Sequence, residues 1–337
     1  MTDTMEAAVV TEPGEITITE RDIPEPDSDE VLIDVKASGI CHSDKYAVKG
    51  DHPAATQPRI PGHEVVGVVQ ETGSNVEIWN PGDRVGLGWH GGHCFTCQQC
   101  RRGDFVNCNN RTVTGLDRDG GHAEYVTARS EALARVPTKL DWTDAAPLMC
   151  AGVTTYNALR QTEVNPGDTV AVLGIGGLGH LGIQYAAASG YKTIALSHTP
   201  DKESYARKLG AHHFIDTSSA DTVEQLNELG GADVLLSTAP VASAIEDVIG
   251  GLATNGEAMV VGVPGEPVKV QIGDLVGKSA RIAGWSTGHG RDNQDTLEFS
   301  AQEGITPETE LYSLDEYRDA YDRMMENNVR FRAVLDI

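Results

Sequence analysis

Residues 169–197, TVAVLGIGGLGHLGIQYAAASGYKTIALS, constrain the fold more than any other stretch of this 337-residue chain. An apolar run, a glycine-rich turn, an amphipathic segment and a second apolar run make a βαβ unit of ordinary length. The alternation continues: helical DKESYARKLGA, then HHFID, helical TVEQLNELGG, then ADVLLSTA, helical VASAIEDVIGGL, then EAMVVGVPG. Strands this short and uniformly apolar belong in a parallel sheet covered on both faces. Residues 152–286 are therefore expected to form a doubly wound α/β domain.

The turn in that unit, Gly174-Ile-Gly176-Gly177-Leu178-Gly179, fits G-x-G-x-x-G. Alone the pattern is a weak signal. Here it follows a strand and opens a helix, the context that turns it into a dinucleotide site. Glycines let the backbone approach a pyrophosphate, whose charge sits at the helix N-terminus. The plainer alternative is a tight turn with no ligand. The second strand ends at Leu196-Ser197-His198. An acid there would bind the ribose hydroxyls of NAD and repel the 2′-phosphate of NADP. Ser197 is neutral, and His198 and Lys202 add potential positive charge, so the strand end favours NADP. On the plainer reading Ser197 only ends a strand and either cofactor is accepted.

Residues 1–151 have another texture. EVLIDVKASGI, HEVVGVVQETG, GDRVGLG and GGHAEYVTA are short β-branched runs between Gly- and Pro-rich turns. They predict a β-rich, barrel-like domain. After Trp285 the chain turns polar and irregular again, and it closes with a helix and a strand in SLDEYRDAYDRMMENNVRFRAVLDI. This tail, 287–337, is expected to return to the first domain.

Six cysteines occur. Cys94, Cys97, Cys100 and Cys108 fall in GGHCFTCQQCRRGDFVNC, within a lobe at 90–110. Nothing argues for secretion, so metal ligation is preferred to disulfides. The usual iron–sulfur spacings differ. Four thiolates close a tetrahedral zinc site and leave no open position, so this lobe is expected to be structural. His90 and His93 beside it read as bystanders. Cys41 and Cys150 are scattered, with His63 between them in Pro61-Gly62-His63-Glu64. Two thiolates and one imidazole would leave a fourth zinc position for water or substrate. Sequence alone does not bring the three together, and a lone buried cysteine usually acts as a small apolar residue.

The net charge is −24, from 26 basic and 50 acidic residues, and the basic set is dominated by arginine. Such a surface repels nucleic acid and anionic lipid, so neither is an expected partner. The acidic excess suggests solubility in high salt, a halophilic trait, against the plainer alternative of an acidic mesophilic protein. With no long apolar run and no apolar core near the acidic N-terminus, a cytoplasmic location is expected.

GICHSD (39–44), PGHE (61–64), the four-cysteine lobe, CAGVTTY (150–156) and GIGGLG (174–179) come in the order and at the spacing of a known family. The chain resembles the zinc-dependent medium-chain alcohol dehydrogenases, which join a GroES-like catalytic domain to a Rossmann coenzyme domain. It is most similar to their yeast-type and cinnamyl-alcohol-type branches. The resemblance implies two zinc ions per chain. One would be catalytic, on Cys41, His63 and Cys150, with Glu64 behind the metal as an alternate ligand. The other would be structural, on the four clustered cysteines. It further implies that Asp44 orients His63, and that Ser43 relays a proton. Thr154 would line the nicotinamide, Thr238, Val261 and Val263 would flank it, and Ser286 would meet its amide end. Arg332 and His42 would face the pyrophosphate. Tyr46, Trp89, Leu116, Val263 and Trp285 are candidate pocket walls, suited to a slim or flat primary alcohol.

One departure matters. Where the family's relay ends on a histidine, this chain has Tyr46. A phenol does not titrate near neutrality as imidazole does. The relay is expected to end at Ser43 and the ribose, open to water, with completion by His52 as the alternative. The implied activity is reversible hydride transfer between a primary alcohol or aldehyde and NADP(H) or NAD(H). A polyol or sugar dehydrogenase of the same superfamily is the nearer alternative, and a non-catalytic nucleotide-binding redox sensor the more distant one. The family also implies a homodimer or homotetramer.

Overall fold

The computed structural model describes residues 4–218 and 221–337. The chain divides into two compact units, Met1–Val153 with Thr287–Ile337, and Thr154–Ser286.

The second unit is built on a six-stranded sheet in the order His213–Asp216, Lys192–Ser197, Thr169–Leu173, Ala232–Ser237, Leu252–Val260, Arg281–Gly284. All neighbours pair in parallel. The chain enters at the middle strand, winds outward on one side and then crosses to the other. That reversal puts the glycine turn after Thr169–Leu173 at the switch point, where open α/β sheets bind ligands. Every residue of the entry strand is buried. Leu173, Ile194, Leu196, Leu226, Leu235 and Ile245 pack in one core on the sheet. The expected helix in VASAIEDVIGGL is short: Ala242–Glu246 is helical, and a 3₁₀ turn follows at Ile249–Gly251. At the end of that turn the Gly251 backbone lies so close to Leu226 that a side chain there would overlap it.

The first unit carries a seven-stranded sheet in the order Thr309–Tyr312, Arg332–Asp336, Glu30–Ile40, Val65–Thr72, Arg84–Leu87, Leu133–Arg135, with Tyr125–Arg129 also paired to Glu30–Ile40. Alternate residues Val31, Ile33 and Val35 meet Val65, Val69, Val85, Leu87 and Val126 in its core, as the period of a strand requires. The C-terminal strand runs antiparallel to Glu30–Ile40, with Ala333 opposite Ile40. On the other side Val65 lies opposite Ser38. These two registers bring together Cys41, just past one strand, the pair His63–Glu64, just before another, and Arg332, the first residue of a third.

Gly290–Glu303 corrects the reading of the region after Trp285 as irregular: it is a helix. His289 and Asp292 cap its start in a reciprocal box. Its buried face is Asn293, Thr296, Leu297 and Ser300. A face made mostly of small polar residues leaves no hydrophobic period to read.

Candidate metal centres and dinucleotide turn

The strand Glu30–Ile40 ends and Cys41 caps a single 3₁₀ turn, His42–Asp44. The Cys41 N–H donates to Asp44 Oδ2 at 2.8 Å, and the Ser43 N–H points at Cys41 Sγ at 3.5 Å. The Gly39 N–H donates to the Glu64 carbonyl at 2.9 Å, which locks the second loop against the first. Cys150 arrives from elsewhere: the helix Trp142–Pro147 opens into a turn of π-helix, Leu148–Gly152. Such bulges recur at functional sites. Ligand atoms of Cys41, His63, Glu64 and Cys150 all lie within 4.8 Å of one another. The two sulfurs are 3.9 Å apart, far beyond a disulfide bond.

The donor chemistry fits a zinc ion. His63 is 1 % exposed, and its Nδ1 donates to Asp44 Oδ1 at 3.0 Å. Its Nε2 is buried with no hydrogen-bond partner, the state of an imidazole nitrogen that faces a metal. Burial alone would raise the Asp44 pKa, but His63 and His122 outweigh it and hold the carboxyl well below the usual range. The hydrogen bond between the sulfurs lowers Cys41 and raises Cys150, so without an ion the pair shares a proton.

Glu64 is fully buried beneath the sulfurs. Its Oε1 accepts a hydrogen bond from Arg332, while its Oε2 has no partner. Burial, with Cys41 nearby, pushes its carboxyl up to about 7 against the pull of Arg332. A Cβ at Gly39 would overlap the Glu64 carboxylate, so only glycine leaves room for it. Arg332 was expected at a pyrophosphate. It is 5 % exposed, and within the protein its Nη2 donates to Glu64 and, at 3.1 Å, to the Ile40 carbonyl. The register that sets Ala333 opposite Ile40 turns it inward.

Tyr46, Leu116 and Trp89 gather in one apolar cluster with Ala47 and Val113. Trp89 meets His63 edge-on, with ring centroids 4.8 Å apart. Tyr46 lies 5.5 Å from the ring of His52. His52 Nδ1 accepts from the Ala54 N–H at 3.1 Å, which leaves Nε2 for any relay. Ser43 is half-buried and His42 exposed.

The second cluster is local. Ligand atoms of Cys94, Cys97, Cys100 and Cys108 also lie within 4.8 Å of one another, with sulfur separations of 3.5 Å for Cys97–Cys100 and for Cys94–Cys108. Backbone N–H groups of Cys94, Cys100 and Asn110 point at these sulfurs at 3.3–3.5 Å. Hydrogen bonds from Thr96 push Cys94 down to about 5, so it is a ready thiolate. His90 and His93 are not in this set: they bond to each other at 3.0 Å, with Phe105 stacked on His93.

In the second unit Gly174 has φ +93°, which only glycine adopts freely. A Cβ at Gly179 would overlap the Gly174 carbonyl, whereas Gly176 faces open space. Gly177 and Leu178 complete the turn, and the helix Gly179–Ala188 starts there. Thr238 pins the turn from the neighbouring strand end, its hydroxyl donating to the Leu173 carbonyl at 2.8 Å. Lys202 Nζ donates to the Ile175 carbonyl at 2.7 Å, placing a cation beside the turn. Ser197 Oγ accepts from the Thr199 N–H at 3.2 Å, and His198 is exposed. Asp216, in register beside Ser197, is an acid the sequence reading did not weigh; its Oδ1 accepts from the Ser218 N–H. Thr154 donates to the Ser286 carbonyl at 3.1 Å. Val261 and Trp285 are half-buried, whereas Val263 is 78 % exposed.

His122 escaped the sequence reading. It is fully buried, with its Nδ1 2.9 Å from Ser38 Oγ and its Nε2 3.5 Å from Asp44 Oδ2. A histidine between paired glycines and an apolar strand, in GGHAEYV, was the available signal.

Two family models match the chain: the alcohol dehydrogenase GroES-like domain over residues 27–138, and the zinc-binding dehydrogenase domain over residues 177–302. The alcohol dehydrogenase patD of Penicillium expansum is 43% identical over 333 residues, covering 98% of this chain and 97% of its own. The solved cinnamyl alcohol dehydrogenase SbCAD4 of Sorghum bicolor is 30% identical with a TM-score of 0.90, over 99% of this chain and 97% of that one. The NADP(H) complex of CAD from Helicobacter pylori is 26% identical with a TM-score of 0.88, over 100% and 99%. With this coverage of both units, the chain belongs to the zinc-dependent medium-chain alcohol dehydrogenases.

Proposed function

We propose that this chain interconverts a primary alcohol and its aldehyde, with Cys41, His63 and Cys150 holding the working zinc and NADP(H) as the preferred coenzyme. The chain is an oxidoreductase of the zinc alcohol dehydrogenase type. The observation that carries the assignment of ligands is the orphaned Nε2 of His63, facing two sulfurs with a second orphan, Glu64 Oε2, behind them. A zinc ion there supplies Lewis acidity toward the substrate oxygen, and a nicotinamide supplies the hydride acceptor or donor.

The rest falls to the protein's own groups. Asp44 fixes the tautomer of His63 by accepting a hydrogen bond from Nδ1–H, so Nε2 stays a lone-pair donor. Arg332 keeps Glu64 oriented and compensates its charge. Ser43, anchored by its N–H on Cys41 Sγ, exchanges the alcohol proton with solvent. Tyr46, Trp89 and Leu116 exclude water and favour a slim chain or a flat ring. NADP is supported by the neutral Ser197 and by the Lys202 amino group beside the glycine turn. Asp216 is engaged with its own loop. The four clustered cysteines would hold a second, structural ion.

We also infer a homo-oligomer. Arg281–Gly284 is an outer strand of its sheet. Ile282 is 43 % exposed, and Ile272 and Val276 on the preceding helix are 65 % and 75 % exposed. Apolar side chains along an open strand edge are a pairing surface.

The test is metal quantitation with steady-state kinetics on an alcohol and aldehyde panel, using both coenzymes. Two zinc ions per chain, turnover of primary alcohols and a lower KM for NADP are expected. Ser197→Asp should reverse the coenzyme preference by repelling the 2′-phosphate. A wild type that used NAD at least as well as NADP would remove that part of the reading, and no turnover of any alcohol or aldehyde would remove the whole.

A further inference from the structure

We infer that His122 is a positioning residue for the Cys41/His63/Cys150 metal pocket, acting through Asp44; this rests on the ligand assignment proposed above. Asp44 is 3 % exposed, so its charge needs several donors. Oδ1 is met by His63 Nδ1 at 3.0 Å and Oδ2 by the Cys41 N–H at 2.8 Å. The remaining side of Oδ2 faces His122 Nε2 at 3.5 Å, the outer limit of a hydrogen bond, so the contact is chiefly electrostatic. Nε2 is buried with no other partner. The tautomer is assigned from the partners: Asp44 can only accept, so the proton sits on Nε2, toward its carboxylate, and Nδ1 then accepts from Ser38 Oγ–H at 2.9 Å.

The chain Ser38–His122–Asp44–His63 thus runs from a strand interior to a metal-facing nitrogen, and Asp44 also holds the backbone of Cys41. Loss of the His122 ring would free Asp44 to turn, and two metal donors would lose their aim together. The ring is itself fixed. Gly62 has φ +102°, and a Cβ there would lie 2.6 Å from His122 Nδ1, so the loop before His63 lies flat on the imidazole. Tyr317 packs 4.6 Å away. A second connection is backbone only: the His122 N–H donates to the Pro61 carbonyl and the Gly121 N–H to the Gly62 carbonyl, both at 3.0 Å. A side-chain substitution leaves those bonds in place and isolates the ring.

The experiment is zinc affinity on the full-length chain by competition with a chromophoric chelator, with the lobe ion counted separately and Co²⁺ absorption as a reporter of ligand geometry. His122→Phe keeps the ring volume and removes both polar contacts. It should weaken one site by about 10–100-fold, shift the Co²⁺ spectrum and leave the lobe ion bound. His122→Gln can still donate to Asp44 and accept from Ser38, and should recover most of the loss. Ser38→Ala should give a smaller loss of the same kind, and decides the matter if His122→Phe fails to fold. The inference is overturned if a folded His122→Phe binds both ions as wild type does, if Gln is no better than Phe, or if Ser38→Ala leaves affinity unchanged. Failure of the ligand assignment would read differently: Cys41→Ser would then leave the zinc count at its wild-type value.

Discussion

The two cysteine-bearing clusters are opposites in construction. The lobe takes its four sulfurs from fifteen consecutive positions, Cys94 to Cys108, and holds them with N–H groups of the same loop. The other pocket takes its donors from positions 41, 63 and 150 and aims them with a relay of buried side chains, Asp44, His122 and Ser38. A closed set of four thiolates suits a loop that must only be held. A three-donor set with a carboxylate beneath suits a centre that must exchange one ligand.

Removing a donor from each should separate the two roles. Cys41→Ser is expected to have the largest effect. Lewis-acid assistance is worth several kcal/mol of transition-state stabilisation, so kcat should fall about a thousandfold or more, while coenzyme titration and the lobe ion are unaffected. Retained turnover would break the division of labour. Cys108→Ser should act in the other direction. It should cost about 2–4 kcal/mol in stability, read as a fall in Tm of several degrees at about 2–4 °C per kcal/mol, with new proteolysis inside 90–110. Wild-type Tm with one ion missing would mean that the lobe is not a structural staple. Asp44→Asn should have the smallest effect, about 10–100-fold in the affinity of the Cys41/His63/Cys150 site, or about 1.4–2.7 kcal/mol. The lobe should not respond, because none of its sulfurs is held through Asp44.

The same contrast explains what could be read from the sequence. The lobe and the glycine turn are legible because their chemistry is written in consecutive residues. The doubly wound sheet is legible because buried parallel strands are uniformly apolar. The candidate donors Cys41, His63 and Cys150 could be listed but not joined, since it takes a strand register, 38 opposite 65, and a distant π-helical turn to bring them together. His122 was hidden for the same reason: its partners are 84 and 78 residues away along the chain. The bond from Arg332 to Glu64 was not legible either, because a strand's register, and hence its inward side, is not a local property. The helix Gly290–Glu303 was lost because it buries Asn, Thr and Ser in place of a leucine stripe.

Gly39 gives that dependence on register a sharper meaning. No atom of its side chain takes part in anything, yet the space it leaves is where the Glu64 carboxylate rests. A single added methyl would displace that carboxylate, and with it the acceptor of the Arg332 hydrogen bond. The place of a buried carboxylate beside two sulfurs is thus kept open by one hydrogen atom.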